Sequence, residues 1–205
     1  MSQAKTRVKY PVCIGVTGGM GCGKSTVSKL LAEHGFTLID SDALIRDKIL
    51  HLPEVVAAVV KKYGDEILEH TGKIDRARLA KKVFAQESDL LWLEGLTHPR
   101  LFDEWRAIMR AELRGRWVIE VPLLFEKQLE NWFDFIVCVA SSPKQQLARL
   151  EQRGIPRPLA EQRISKQLLL AKKIELSDFV LWNDGPISFL KDQVNILYSD
   201  LQSRL

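Results

Sequence analysis

The sequence predicts an α/β fold, a five-stranded parallel sheet flanked by helices, on three observations. Five short apolar runs recur along the chain, stretches of helical periodicity separate them, and a glycine-rich turn joins the first run to the first helix. Continuous apolar runs suit strands buried on both faces, as in a parallel sheet covered by helices. Their alternation with helical stretches is the pattern of repeated strand–helix units.

The runs are Val12–Thr17, Phe36–Asp40, Trp117–Val121, Phe135–Ala140 and Phe179–Trp182. The first helix runs from Lys24 to about His34, with Val27, Leu30 and Leu31 on its inner face and Gly35 as its stop. The longest interval, Ser41 to Arg116, is too long for one crossover and is itself helical. Within it Pro53–Tyr63 ends at Gly64, and Asp75 caps a helix carrying Leu79 and Val83. Leu101, Trp105, Ile108 and Met109 follow Pro99 at helical spacing, and Gly115 ends that helix. His98, immediately before the proline, is biased towards extended backbone and reads as a cap. A second helical insertion spans Ser142 to Ser177. Ser142 and Gln145 form a capping box with Pro143 at the first helical position. Arg149 and Arg153 share one face, Gly154 breaks the helix, and Pro158 starts another. The last helix begins near Pro186, with Leu190, Val194, Leu197 and Leu201 on one stripe.

The 205 residues suit one domain with an insertion, or two small lobes. Hydrophobic content of 46% is ample for a core, and 27% charged residues is ordinary for a soluble protein. The net charge of +4 fits an anionic small-molecule substrate. With no run of five or six like charges, a nucleic-acid-binding tail is not expected. Cys13, Cys22 and Cys138 are odd in number and lack C-x-x-C spacing, which reads as buried reduced thiols in a cytoplasmic protein. No apolar stretch reaches the ~18 residues that span a bilayer, so no membrane partner is expected. Met1–Lys9 reads as a frayed leader, because the apolar run after it is broken by glycines that no signal peptide core would carry.

The glycine-rich turn carries the chemistry. Gly18-Gly19-Met20-Gly21-Cys22-Gly23-Lys24-Ser25 fits G-x-x-x-x-G-K-[ST], with a strand before it and an amphipathic helix after it. Glycines let the backbone curl so that successive N–H groups point at one phosphate, and the helix start adds its positive dipole end. Gly19, Gly21, Cys22, Gly23, Lys24, Ser25 and Thr26 are therefore the candidate nucleotide contacts. Lys24 supplies charge to the β- and γ-phosphates, Ser25 a hydroxyl to Mg²⁺, and Thr26 reaches an α-phosphate oxygen.

Neither D-x-x-G nor N-K-x-D, the marks of a GTPase, is present. The Trp117–Val121 run carries Glu120 and then Pro122, not the Asp-Glu ending of motor and helicase ATPases. Two helical insertions fit a small-molecule kinase, one binding the acceptor and one serving as an arginine-bearing lid. Asp40-Ser41-Asp42 follows the second strand, where ligand crevices of parallel sheets lie. Phosphoryl transfer needs Mg²⁺, positive charge and a base for the acceptor hydroxyl. Asp42 is the candidate base and Asp40 a partner to the metal's water shell, although either could cap the next helix. Arg149 and Arg153 would close over the migrating phosphate.

At this point the residues resemble one family, dephospho-coenzyme A kinase, from Val12 to about Val194. Thr17–Thr26 is similar to its T-G-G-x-G-x-G-K-S-T, and Asp40-Ser41-Asp42 to its D-x-D. Leu93–Pro99 resembles L-E-x-[IL]-x-H-P, and Val121–Glu126 resembles V-P-L-L-[FV]-E. Gln146, Arg149 and Arg153 fit its lid pattern, with Arg163 and Gln167 in the following helix. Asp178–Asn183 with Gly185 is similar to its D-x-[VI]-[IL]-x-N-x-G ending. The resemblance implies transfer of the γ-phosphate of ATP to the ribose 3′-hydroxyl of dephospho-CoA, the last step of coenzyme A synthesis. The alternative is another small-molecule or nucleoside monophosphate kinase of the P-loop class. It implies a P-loop kinase fold with a nucleotide core at 12–50, 116–141 and 178–205, a helical CoA-binding insertion at 51–115 and a lid at 142–177. It also implies catalytic roles for Asp42, Lys24 and Arg149, with Asn183 near the adenine of ATP. Met20, Cys22, Ser41 and Ser177 depart from the usual residues, and Cys22 would make the loop sensitive to thiol reagents. His98 reads as structural or acceptor-binding, not catalytic. Pro122–Phe125 suits either core packing or acceptor contact.

Overall fold

The computed structural model describes residues 12–83, 85–112 and 114–204, so the leader expected at Met1–Lys9 lies outside the described residues. In chain order the elements are β1 (Val12–Gly18), α1 (Lys24–Glu33), β2 (Thr37–Ile39), α2 (Ser41–Asp47), α3 (Pro53–Tyr63), α4 (Arg76–Val83) and α5 (Glu87–Ala111). There follow β3 (Arg116–Glu120), β4 (Phe135–Ala140), α6 (Pro143–Gln152), α7 (Arg157–Ser165), α8 (Leu170–Leu176), β5 (Phe179–Trp182) and α9 (Ile187–Arg204). The chain divides into two compact units, residues 12–39 with 112–204, and Asp40–Ala111.

The first unit holds the sheet, in the order β2-β3-β1-β4-β5, with every described pairing parallel. The five apolar runs of the sequence are these five strands. β1 and β4 are buried along their whole length, as their unbroken apolar character requires. Val12, Ile14 and Val16 point to one face, where Val27 and Leu31 of α1 and Leu190 and Val194 of α9 cover them. β1 is central, with β3 and β4 on either side. The chain leaves β1 towards β2 on one side and later fills β4 and β5 on the other. The carboxyl end of β1 is thus the switch point at which α/β sheets bind ligands. The outer edge of β5 is closed by Gln193, whose Oε1 accepts from the Trp182 N–H at 2.9 Å and whose Nε2 donates to the Trp182 carbonyl at 2.7 Å. One side-chain amide so occupies the groups a further strand would take.

The second unit is helical. Asp75 caps α4, its Oδ1 accepting from the N–H groups of Ala77 and Arg78. α5 corrects the reading at Pro99. It starts at Glu87, carries Pro99 in its interior and stops at Ala111, short of Gly115. His98 is therefore a helical residue and not a cap; its ring lies 5.9 Å from that of Phe102. An interior proline removes one helical hydrogen bond and costs about 3 kcal/mol. Here side chains serve neighbouring carbonyls: Thr97 Oγ1 donates to the Leu93 carbonyl at 2.9 Å and Arg100 Nη1 to that of Leu96 at 2.6 Å. Burial of Thr97, Leu101 and Trp105 anchors the helix on both sides of Pro99.

All three cysteines are buried and free. Burial pushes the thiols of Cys13 and Cys138 up to about 12, with Asp134 adding to the effect at Cys13 and Cys22 at Cys138. Cys22 is 0% exposed, and burial raises its thiol further than nearby Lys24 lowers it. The expected sensitivity of the loop to thiol reagents loses its basis, because the thiolate is the nucleophile and neither it nor access is provided. Iodoacetamide at neutral pH is expected to leave all three unlabelled in the folded protein and to label all three in urea. Rapid native labelling of Cys22 would show that the loop opens.

Candidate active site

The loop between β1 and α1 is built for an anion. α1 has Gly23 as its N-cap, with no side-chain cap and no acidic residue in its first turn. Nothing of the protein's own therefore competes for its positive end. Cys22 N–H donates to the Gly19 carbonyl at 3.2 Å, and Thr26 N–H to that of Gly23 at 3.0 Å. Among the described residues, the N–H groups of Gly21, Gly23, Lys24 and Ser25 donate to no protein acceptor. Two loop glycines have no substitute. Gly21 sits at φ 80°, and a Cβ there would lie 2.8 Å from the Gln146 carbonyl oxygen. Gly23 sits at φ 95°, with Asn183 Nδ2 2.3 Å from where its Cβ would be.

Lys24 lies over this loop and is only 8% exposed. Its Nζ donates to the Gly19 carbonyl at 3.0 Å and, at 3.3 Å, to that of Gly18. Burial pulls the ammonium below the ordinary lysine range, with Glu120 opposing it. The hydrogen bonds of this buried charge go to neutral carbonyls, with Glu120 acting on it through charge alone, so its pairing is incomplete. An ammonium has three donors and two are used here, so the third suits a phosphate oxygen.

The loop is braced by side chains from the turn after β4, from α6 and from the turn after β5. Asn183, 9% exposed, donates from Nδ2 to the Cys22 carbonyl at 2.9 Å. Arg149 spreads its guanidinium over three acceptors: the Gly21 carbonyl at 3.3 Å, Ser141 Oγ at 2.9 Å and the Asn183 carbonyl at 2.5 Å. Ser141 Oγ in turn donates to the Asn183 carbonyl at 2.9 Å, and Gln146 Nε2 donates to the Ser141 carbonyl at 2.9 Å. Arg153, one turn beyond Arg149, is exposed. The two arginines of the sequence pattern therefore differ in kind, one built into the loop's support and one free at the surface. Ser142 caps α6 through Gln145 N–H at 3.4 Å, but the reciprocal bond goes to Asp184 Oδ1, which accepts from Ser142 N–H at 2.8 Å. That half of the capping box is Asp184's and not Gln145's.

Ser25 is exposed and Thr26 half-buried at the start of α1. The Ser25 hydroxyl is free among the described residues, and no cluster of three or more His, Cys, Asp or Glu side chains able to hold a metal occurs among them. That donor set fits Mg²⁺, which takes one or two protein oxygens and completes its shell with phosphate and water.

In the helical unit the acidic pair divides its labour. Asp40 is the N-cap of α2, its Oδ1 accepting from Ala43 N–H at 2.8 Å. Asp42, one residue into the helix, is exposed and has no partner among the described residues. The same unit contains an apolar cavity of about 710 Å³, lined by Leu50, Leu79, Ala80, Val83, Leu90 and Leu93, with Glu69, Asp75 and Arg76 at its polar positions. In the first unit, Leu124 and Phe125 are buried, which assigns that part of Pro122–Phe125 to the core.

Sequence reasoning missed Ser141, Lys173 and the capping role of Asp184. Nothing in the sequence sets Lys173 apart from its neighbour Lys172, yet its side chain is 0% exposed, pairing with Glu126 Oε1 at 2.9 Å and donating to the Pro122 carbonyl at 2.7 Å. Burial alone would raise Glu126, but hydrogen bonds from Lys173 and the Leu168 N–H hold it below the ordinary glutamate range.

Comparison with known proteins agrees with this geometry. Residues 12–188 match the family model described as dephospho-CoA kinase. The dephospho-CoA kinase of Thermosynechococcus vestitus is 40% identical over 91% of this chain and 93% of its own. That of Streptomyces avermitilis is 37% identical over 93% and 94%. A crystal structure from Thermus thermophilus superposes with a TM-score of 0.76 at 29% identity, covering 94% of this chain and 99% of that one. Shikimate kinase from Acinetobacter baumannii, at a TM-score of 0.51 and 18% identity over 96% and 97%, shares the fold alone. With a family match running from the first residue of β1 into α9, and relatives alike over nearly their whole length, this chain belongs to the dephospho-CoA kinase family.

Proposed function

We propose that this protein transfers the γ-phosphate of ATP to the ribose 3′-hydroxyl of dephospho-CoA, giving CoA and ADP, in the cytoplasm. The observation that carries the donor half is the loop's set of N–H groups without a protein acceptor among the described residues, together with a buried, incompletely paired Lys24. The family carries the acceptor half. Gly19 to Thr26 receive the phosphates of ATP, and the Lys24 ammonium draws charge from the migrating group as the bond to ADP lengthens. The Ser25 hydroxyl would hold Mg²⁺, which would supply positive charge to offset that of the phosphates. Residues 142–177 act as a lid that excludes water from the transfer. Arg149, placed between the Gly21 and Asn183 carbonyls, holds the loop in shape and presents positive charge beside it. Asn183 braces the loop and leads into the turn that borders the adenine.

Asp42 takes the proton of the 3′-hydroxyl. Asp40 spends its carboxylate on the α2 cap, whereas Asp42 has both oxygens available. The apolar cavity of the helical unit offers a volume suited to part of the acceptor's arm. No helix among the described residues is long and apolar enough to cross a membrane.

With ATP and Mg²⁺, ADP release is expected with dephospho-CoA and not with nucleoside monophosphates, gluconate or shikimate. Equal turnover with any of these would reassign the acceptor. Asp42→Asn is expected to lower kcat about 10²-fold or more while ATP affinity is retained; near-normal kcat would remove Asp42 from the role of base.

A further inference from the structure

Lys173 has no task in the transfer just described, yet it is the one lysine besides Lys24 buried among the described residues. It lies on α8, which packs on β1 and β4. Its Nζ is shared between Glu126 Oε1 and the Pro122 carbonyl. The same Glu126 oxygen accepts from Leu168 N–H at 2.8 Å, and Glu126 Oε2 is buried with no partner among the described residues. The Pro122 carbonyl also takes a long contact, 3.4 Å, from Thr17 Oγ1. Thr17 immediately precedes Gly18. One polar cluster therefore joins the strand that feeds the phosphate loop, the turn after β3, the base of α8 and the chain that leaves α7.

A buried ion pair of this kind roughly breaks even against apolar packing, so stability alone is a poor account of it. It does fix position. The chain enters α7 after Gly154, at φ 77°, and leaves it through residues 166–168, where Leu168 N–H is held by Glu126. α7 packs on α6, and Ala160 is its one buried residue, so most of this arm faces solvent. An apolar cavity of about 410 Å³ lies between this arm and the loop, lined in part by Gly19, Gln146, Leu147, Ile164, Leu168 and Leu170. A swing of α7 about Leu168 would fill it.

We propose that the Lys173–Glu126 pair is the fixed post of the lid, holding Leu168 in register with Thr17 so that α7 closes at the right distance over the transferring phosphate. Both are positioning residues, and the proposal rests on the reading of residues 142–177 as a lid. A lid set wrongly admits water, so hydrolysis of ATP should gain on transfer. Three measurements test this on the full-length enzyme: transfer to dephospho-CoA, ADP release without acceptor, and hydrogen exchange of the 157–165 amides with and without Mg·ATP. In the wild type, Mg·ATP is expected to protect 157–165. In Lys173→Met, kcat is expected to fall roughly tenfold with the KM for ATP little changed, while the ratio of hydrolysis to transfer rises roughly fivefold or more. Lys173→Arg should recover most of the loss. Should Lys173→Met fail to fold, Glu126→Gln, which keeps an acceptor for Leu168 N–H, carries the same expectation. Variants that lower Tm but leave kcat and the ratio at wild-type values overturn the proposal, while protection in the wild type leaves the lid standing. Absence of that protection in the wild type overturns the lid reading and the post with it.

Discussion

A peptide loop can cradle a phosphate only if its N–H groups face the anion and its carbonyls do not. Four carbonyls of this loop are tied by side chains: those of Gly18 and Gly19 by Lys24, that of Gly21 by Arg149 and that of Cys22 by Asn183. The constraint explains features that otherwise look unrelated. The loop holds the Gly19 and Gly23 carbonyls with its own N–H groups, but those of Gly21 and Cys22 are served by Arg149 of α6 and by Asn183 just after β5, more than a hundred residues along the chain. Two of its glycines are required for the same reason, since Gln146 and Asn183 press against the backbone where a Cβ would stand. Each bond is modest alone, about 1 kcal/mol net, but leaving a buried carbonyl unserved costs more than making the bond gains.

Much of the fold was legible because its signals are local. Five apolar runs, the stops at Gly35 and Gly64, the caps at Asp75 and Ser142 and the stripe on the last helix all became elements where the pattern placed them. Pro99 was misread because a proline normally ends a helix. Here the burial of Thr97, Leu101 and Trp105 on either side of the proline outweighs that preference, and no local rule reports such a balance.

The site was legible in its loop and less so in its support. Lys24 and Ser25 are named by spacing, since the phosphate loop is a contiguous motif. The division between Asp40 as cap and Asp42 as free carboxylate depends on one hydrogen bond, and the sequence allowed either. Lys173 could not be distinguished from Lys172 beside it, although one is enclosed and the other open to solvent. Burial of a charge is set by what lies on the other side of it, here Glu126 and Pro122, nearly fifty residues away. The arginine pair shows the same limit: shared periodicity puts Arg149 and Arg153 on one helix face, but only packing makes the first a brace and leaves the second exposed.

The most direct test is whether tying back a carbonyl governs phosphate binding as such. Magnesium tripolyphosphate has the phosphates of ATP without its adenine, so it separates the loop from the base. Calorimetric titration of wild type and Asn183→Leu should show affinity for tripolyphosphate falling by roughly tenfold, the equivalent of about 1.4 kcal/mol for one buried carbonyl left with only the long 3.5 Å contact from Ser141 Oγ. Unchanged tripolyphosphate affinity, with loss confined to ATP, would mean that Asn183 serves the base alone and that the loop holds its shape without the brace.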